Sequence, residues 1–276
     1  MMRPSITYGR RWINNLNKRA NLKFDRYTRH QLIIQSGYAG LGDNLFLSHI
    51  PRIAKESGKY KKVLVSNRSI FRDPACRMLV WESNQYVDGF TNAPGFELLP
   101  PHTHNMRRNR LYEILYALGL ENRITRPLDG GNLLDQFMLG MGLDDGFRFH
   151  EPEIYLEIPR NKKYERLTVY DPNYITNVGA ITPSMVETYF YQAKVDILAQ
   201  MGMRNNSMSI TNSNLIINVA NLVEFCSVIV SCKKLYCLTT GTATLAAALK
   251  KPCTVLYGDG VNPLFHHSRL HQYVRI

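Results

Sequence analysis

The chain has 276 residues, 45% of them hydrophobic, and carries 34 Lys and Arg against 22 Asp and Glu, a formal net charge of +12. The apolar residues are dispersed, with no run near the roughly 18 to 20 that span a bilayer, so a soluble protein with no transmembrane segment is expected. Five cysteines, Cys76, Cys226, Cys232, Cys237 and Cys253, are odd in number and mostly sit in apolar runs, which argues against a disulfide framework and for buried thiols in a reducing, cytoplasmic compartment.

In chain order, residues 1–30 form a basic extension, with Arg3, Arg10, Arg11, Lys18, Arg19, Lys23, Arg26 and Arg29 against Asp25 alone. A basic helix is expected near residues 10–24, able to dock on the body or on a membrane surface. Strand one is expected at 31–35, followed by the loop Gly37-Tyr38-Ala39-Gly40-Leu41-Gly42-Asp43 and a helix to about Lys55. Lys62 to Ser66 reads as a strand, Arg72 to Trp81 as a short helix, and Tyr86 to Phe90 as a strand. Met106 to Leu118 and Leu133 to Met141 read as helices stopped by Gly119 and Gly142. Strands alternating with helices predict an α/β fold with parallel sheets covered on both faces.

The segment Phe147 to Pro159 is the expected boundary, dividing residues 31–157 from residues 158–276. Beyond it the pattern restarts. Arg166 to Tyr170 reads as a strand, Pro183 to about Met201 as a helix, and Leu215 to Ile217 as a strand. A helix over Leu222 to Ser231, a strand over Leu235 to Leu238, a helix over Ala243 to Leu249 and a strand over Pro252 to Tyr257 complete it.

Two turns carry chemistry. Around Gly37, Gly40 and Gly42 the backbone can turn sharply and approach a ligand, and Asp43 supplies a carboxylate; a tight turn with an N-capping Asp is the structural alternative. Thr239-Thr240-Gly241-Thr242 sets hydroxyls and backbone N–H groups at a helix amino-terminus, where a diphosphate would fit; simple capping uses the same groups. Both turns lie at carboxyl ends of predicted strands, the edge where open α/β sheets bind ligands. The basic excess predicts attraction to an anionic partner, whether nucleic acid, phosphorylated glycolipid, membrane surface or sugar nucleotide, or else a solvated basic face. Arg107, Arg108 and Arg110 are candidate acceptor or phosphate contacts. So is His266, ahead of His49, His102, His104 and His267.

The glycine loop ending in Asp43, the helix end Ala117-Leu118-Gly119-Leu120, and the run Leu238-Thr239-Thr240-Gly241-Thr242-Ala243-Thr244-Leu245 with Lys251-Pro252 and Leu256-Tyr257-Gly258 together resemble family 9 glycosyltransferases, the heptosyltransferases of lipopolysaccharide assembly. The likeness runs in order over nearly the whole chain beyond residue 31. It implies two Rossmann-like domains facing across a cleft, the GT-B arrangement. Residues 31–157 would take the acceptor and residues 158–276 the nucleotide-sugar donor. It implies inverting transfer from a nucleotide-diphosphate sugar, Asp43 as general base, and donor binding by Gly40, Gly42, Thr239, Thr240, Gly241, Thr242, Thr244 and Gly258. The absence of any Asp-x-Asp adds the expectation of no metal and no cofactor beyond the sugar nucleotide. Where the family reads Asp-Thr-Gly-x-x-His, this chain has Thr239 and Thr244 at the outer positions. The expected acceptor is a lipopolysaccharide or surface polysaccharide. The alternatives are a bacteriophage enzyme that glycosylates hydroxymethylated DNA bases and a non-catalytic binding protein on the same fold.

Overall fold

The computed structural model describes residues 31–95, 131–175, 178–203, 206–261 and 268–276. The helices expected near 10–24 and 106–118 lie outside them. The first half is built on a parallel sheet of β1 (Gln31–Ile34), β2 (Lys62–Ser66) and β3 (Gly89–Thr91), in that order. Between β1 and β2 come α1 (Leu41–Leu45) and α2 (Ile50–Glu56), and between β2 and β3 come α3 (Pro74–Arg77) and a π-helical turn, Met78–Glu82.

The single helix expected after the glycine loop is two. Pro51 has no N–H to donate to Leu47, and the Ser48 hydroxyl bonds back to the Leu45 carbonyl at 2.7 Å, so the chain breaks over Phe46 to His49. The strand expected from Tyr86 begins later, because the Tyr86 and Val87 amides are taken by the side chain and carbonyl of Asn84.

After α4 (Leu133–Gly140), the second half forms a six-stranded, wholly parallel sheet. Its strands are β4 (Thr168–Asp171), β6 (Ala199–Met201), β8 (Ile216–Ile217), β9 (Lys234–Leu238), β10 (Thr254–Tyr257) and β11 (Gln272–Arg275). Their spatial order, β11-β10-β9-β4-β6-β8, is that of a doubly wound sheet: the chain winds outward from β4 in one direction and then from β9 in the other. The connecting helices are α5 (Pro183–Gln192), α6 (Leu222–Ser231) and α7 (Gly241–Ala248), while β5 (Asn173–Tyr174) and β7 (Asn206–Ser207) pair antiparallel beside the sheet.

The helix expected to reach Met201 stops at Gln192. Lys194 takes a left-handed φ of 52°, and Ala199 to Met201 pair with both β4 and β8, so a central ladder position overrides helical spacing. β11 has no counterpart in the sequence reading.

Side chains alternate across the second sheet, as a strand's period of two demands. Val169, Leu235, Cys237 and Val255 face α6, α7 and the first sheet, in one apolar cluster continuous with Leu32, Ile34, Ile50, Val63 and Trp81. Tyr170, Tyr236, Leu238 and Leu256 face α5, where Phe190 meets the rings of Tyr170 and Tyr236 edge-on, each at 5.3 Å. Burying each such side chain contributes roughly 1.5 to 3 kcal/mol. The boundary segment is a strap tied at both ends. The Glu153 amide donates to Ser48 Oγ and its carboxylate pairs with Arg52 at 2.8 Å, while the Pro159 carbonyl and Asn161 amide bond to Ser227 and Ser231 of α6.

Candidate functional site

The two turns singled out in the sequence meet. A Cβ built on Gly42 would stand 3.2 Å from Gly241 Cα and 3.7 Å from Thr244 Oγ1, and one on Gly241 would stand 3.3 Å from the Gly42 nitrogen. Glycine at both positions lets α1 and α7 approach closely, since a Cβ on either would be in tighter than ordinary contact. Asp43 follows at the third position of α1, and its carboxylate folds back over Gly40, whose N–H donates to it. Burial pushes this carboxyl above the usual carboxylate range, against that N–H and the positive charge of Arg72.

A buried scaffold holds the glycine loop. Asn44, fully buried, donates from Nδ2 to the carbonyls of Gly40 (3.0 Å) and Tyr38 (3.3 Å) and accepts from Trp81 Nε1 at 3.0 Å. Ser36 Oγ donates to the Tyr38 carbonyl, its amide is bound by Ser69 Oγ, and the Arg72 amide donates to the Ala39 carbonyl at 2.9 Å. Sequence reading missed Asn44, Trp81 and Arg72, since nothing local distinguishes them from core and surface residues.

On the other side, Thr240 is the N-cap of α7 and accepts the Thr242 amide, and the Thr242 hydroxyl donates to Asp171 Oδ2 at 2.6 Å. Asp171, buried at the carboxyl end of β4, also accepts from the amide and Nδ2 of Asn173. The Thr242 to Asp171 bond spans β4 and β9, the pair between which the winding reverses, and ligands of such sheets bind outside the strand ends at that reversal. Asp171 directly follows a predicted strand, so the strand-end rule had the signal to find it. Thr239 Oγ1 is buried without a hydrogen-bond partner, beside the amino-terminus of an eight-residue helix. A buried hydroxyl left so is costly unless a ligand completes it.

The remaining candidates part company with these. Gly258 is buried against the backbone of Ala180, and its amide bonds to Val178, so close chain packing accounts for the glycine. Asp259 pairs with Arg275. His49 is fully buried on the turn after α1, its ring stacked on His150 at 5.2 Å. Arg107, Arg108, Arg110, His102, His104, His266 and His267 lie outside the described residues. A separate groove of about 450 Å³ is lined by Met78, Pro159, Leu222 and Ser227 and has no part in this site.

No family model and no curated protein matches the chain by sequence. Solved structures do match. A family 9 glycosyl transferase from Veillonella parvula aligns over 91% of this chain and 86% of its own, at 12% identity and a TM-score of 0.54. The fold is that of family 9 glycosyltransferases. The same holds for E. coli heptosyltransferase WaaC with ADP, with 10% identity, 89% and 93% coverage and a TM-score of 0.51. The glycosyltransferase TibC from enterotoxigenic E. coli matches at 13% identity and a TM-score of 0.56. Its complex with ADP-D-beta-D-heptose matches at 11% and 0.59; in both cases the alignment covers 88% of this chain but only 62% of TibC. The resemblance read from the motifs is borne out as fold.

One expectation is corrected. TibC is an iron-containing enzyme, so a protein of this fold does carry a metal, and the missing Asp-x-Asp does not license a metal-free reading. Among the described residues, no three His, Cys, Asp or Glu side chains gather where an ion would be held. Among the described residues, too, no helix is long and apolar enough to cross a membrane.

Proposed function

We propose that this protein is a glycosyltransferase that moves a sugar from a nucleoside-diphosphate sugar to a hydroxyl of an anionic acceptor, with inversion at the anomeric carbon. The observation that carries the reading is the contact of Gly42 with Gly241 and Thr244, which sets the loop of a partly buried carboxylate against the turn that holds the unpartnered Thr239 hydroxyl.

Each group has a task in that reaction. Asp43, its proton affinity raised by burial, takes the proton of the acceptor hydroxyl as that oxygen attacks the anomeric carbon; such general-base help is worth roughly 100- to 10,000-fold. The bond to the diphosphate breaks as the new carbon–oxygen bond forms on the opposite face, and the leaving oxygen carries away the electron pair. The Thr239 hydroxyl donates to the diphosphate at the amino-terminus of α7, where the helix dipole amounts to roughly half a positive charge. Residues 31–157 take the acceptor and residues 158–276 the donor, with the two halves facing across the site as GT-B domains. The excess of 34 basic over 22 acidic residues suits a phosphorylated glycolipid or an anionic surface polysaccharide.

The experiment is a thermal-shift screen of nucleoside diphosphates and their sugars, beginning with ADP, on the wild-type protein and Thr240→Asp side by side. Asp caps a helix as well as Thr, so the variant keeps the fold while setting a negative charge against the diphosphate. A ligand at a hundred times its Kd stabilises by about 2.7 kcal/mol. The wild type is stabilised by one nucleotide class and the variant much less. A wild type indifferent to every nucleotide removes the reading.

A further inference from the structure

Behind the donor turn lies a pair of thiols that the proposed reaction leaves unused. Cys237 on β9 and Cys253, just before β10, hold their Sγ atoms 3.8 Å apart on the face packed against α6 and α7. His271 is the next titratable neighbour. Its Nε2 lies 2.8 Å from the Ala243 carbonyl, which only accepts, so Nε2 carries the ring hydrogen. Nδ1 is then the buried ring nitrogen left to interact with the Cys253 sulfur.

The two sulfurs are not equivalent. The hydrogen bond from Cys237 pulls the Cys253 thiol below its ordinary value against the effect of burial, and His271 adds to it. The same bond, with burial, pushes Cys237 well up. For His271, burial opposes the charged ring and the Cys253 sulfur outweighs it. Cys253, 6% exposed, is thus the more acidic and the more accessible sulfur, and Cys237, with no exposure, the less acidic partner, which is the division of labour between an attacking and a resolving cysteine. The other three thiols lack such help: burial pushes Cys226 up to about 12 and Cys232 up to about 11, and it raises Cys76 as well.

We propose that Cys253 and Cys237 form a disulfide in response to a hydroperoxide, and that its formation disturbs the Thr239 to Thr242 turn. In the first step the Cys253 sulfur attacks one peroxide oxygen. A sulfur–oxygen bond forms, the oxygen–oxygen bond breaks, two electrons pass from sulfur to peroxide, and hydroxide or alkoxide leaves. In the second, the Cys237 sulfur attacks Cys253; the sulfur–sulfur bond forms, hydroxide departs from Cys253 and takes up the Cys237 proton as water. A dithiol and a hydroperoxide give a disulfide with water and water or alcohol.

A bonded pair stands about 2.05 Å apart, so the two sulfurs must close by nearly half their present separation. Cys237 is two residues from Thr239, and His271 is bonded to Ala243 in the first turn of α7, so the movement reaches the donor turn from both ends. A disulfide closed against strand geometry is strained and readily reduced, as a reversible modification requires. The effect on the turn, though not the bond itself, rests on the donor site proposed above.

The test uses the full chain, reduced, exposed to hydrogen peroxide, then unfolded in guanidinium chloride with N-ethylmaleimide to label every remaining thiol, and digested without reductant. Mass spectrometry finds the Cys237 and Cys253 peptides joined, while Cys76, Cys226 and Cys232 carry maleimide. Cys237→Ser leaves a dimedone-reactive sulfenic acid on Cys253, and His271→Asn slows loss of the Cys253 thiol roughly tenfold with the fold intact. Cys253 keeping its maleimide label at peroxide doses that oxidise a free cysteine peptide overturns the site, and so does single oxidation without a link. In a second arm, ADP stabilises the oxidised form less than the reduced, and dithiothreitol restores the difference. Equal stabilisation of both forms overturns the coupling. A linked protein whose reduced form ignores every nucleotide keeps the redox site and removes the donor reading instead.

Discussion

Gly42 and Gly241 meet backbone to backbone, with less than ordinary van der Waals room for a methyl: a Cβ on either would come within 3.2 or 3.3 Å of the other's main chain. Gly42→Ala therefore makes α7 give by a few tenths of an ångström at this contact. Overpacking of this kind costs roughly 1 to 3 kcal/mol. The melting temperature falls by a few degrees, and turnover falls further than stability, because the site is the contact being opened. Loss of stability with unchanged kcat/KM would show that the contact is only structural.

Asp43→Asn keeps the shape and the Gly40 bond acceptor but removes the base. Turnover drops by roughly 100- to 10,000-fold while nucleotide stabilisation in the thermal assay stays within error. In the wild type, burial holds the carboxyl above its ordinary range, so the acid limb of the kcat/KM profile sits above the usual carboxylate pKa. An Asn variant with wild-type turnover would remove Asp43 from catalysis.

Asn44→Ala leaves the Trp81 indole N–H and the Gly40 and Tyr38 carbonyls without their buried partner. The loss is roughly 1 to 3 kcal/mol for the orphaned groups. Trp81→Phe, which removes the indole donor and leaves Asn44 on the loop, costs less activity. Denaturant titration and KM measured together check this: loop disorder raises KM in Asn44→Ala more than in Trp81→Phe.

Acid stability turns on two stacked imidazoles. His49 is held neutral, its pKa pushed down to about 3 by burial first and by the charge of His150 second. An unfolded His49 titrates near 6.5, so the unfolded chain binds a proton that the folded chain refuses between about pH 6.5 and 3, and stability falls as pH drops through that window. His150 works the other way. Burial opposes its charge, but Asp135 at 2.6 Å and Asp145 at 3.0 Å raise it, so its contribution is full below about 6.5 and is lost as pH rises through the folded value. His49→Leu flattens the decline in unfolding free energy between pH 7 and 5, and His150→Gln lowers stability at pH 6 more than at pH 8. Urea titrations at these four pH values decide it; an unchanged slope in His49→Leu excludes that ring as the source.

Much of the local structure was legible in the sequence. β2 and α6 fall where the apolar runs predicted them, Lys62 to Ser66 and Leu222 to Ser231, and in the structure Asn221 caps that helix while Ser57 ends the one before β2. The two candidate turns were legible for the same reason, since glycine and threonine between an apolar strand and a helix constrain the backbone within a few residues. Where a short-range rule competed with a distant partner, the sequence lost. Ala199 to Met201 carry a helical pattern but lie in the sheet interior, and two ladders outweigh a propensity of tenths of a kcal/mol. The order of the six strands, the bond from Thr242 to Asp171 and the approach of Gly42 to Gly241 belong to the tertiary structure alone. They join residues far apart in the chain, and only packing of the whole core, not any local preference, chooses which of them meet.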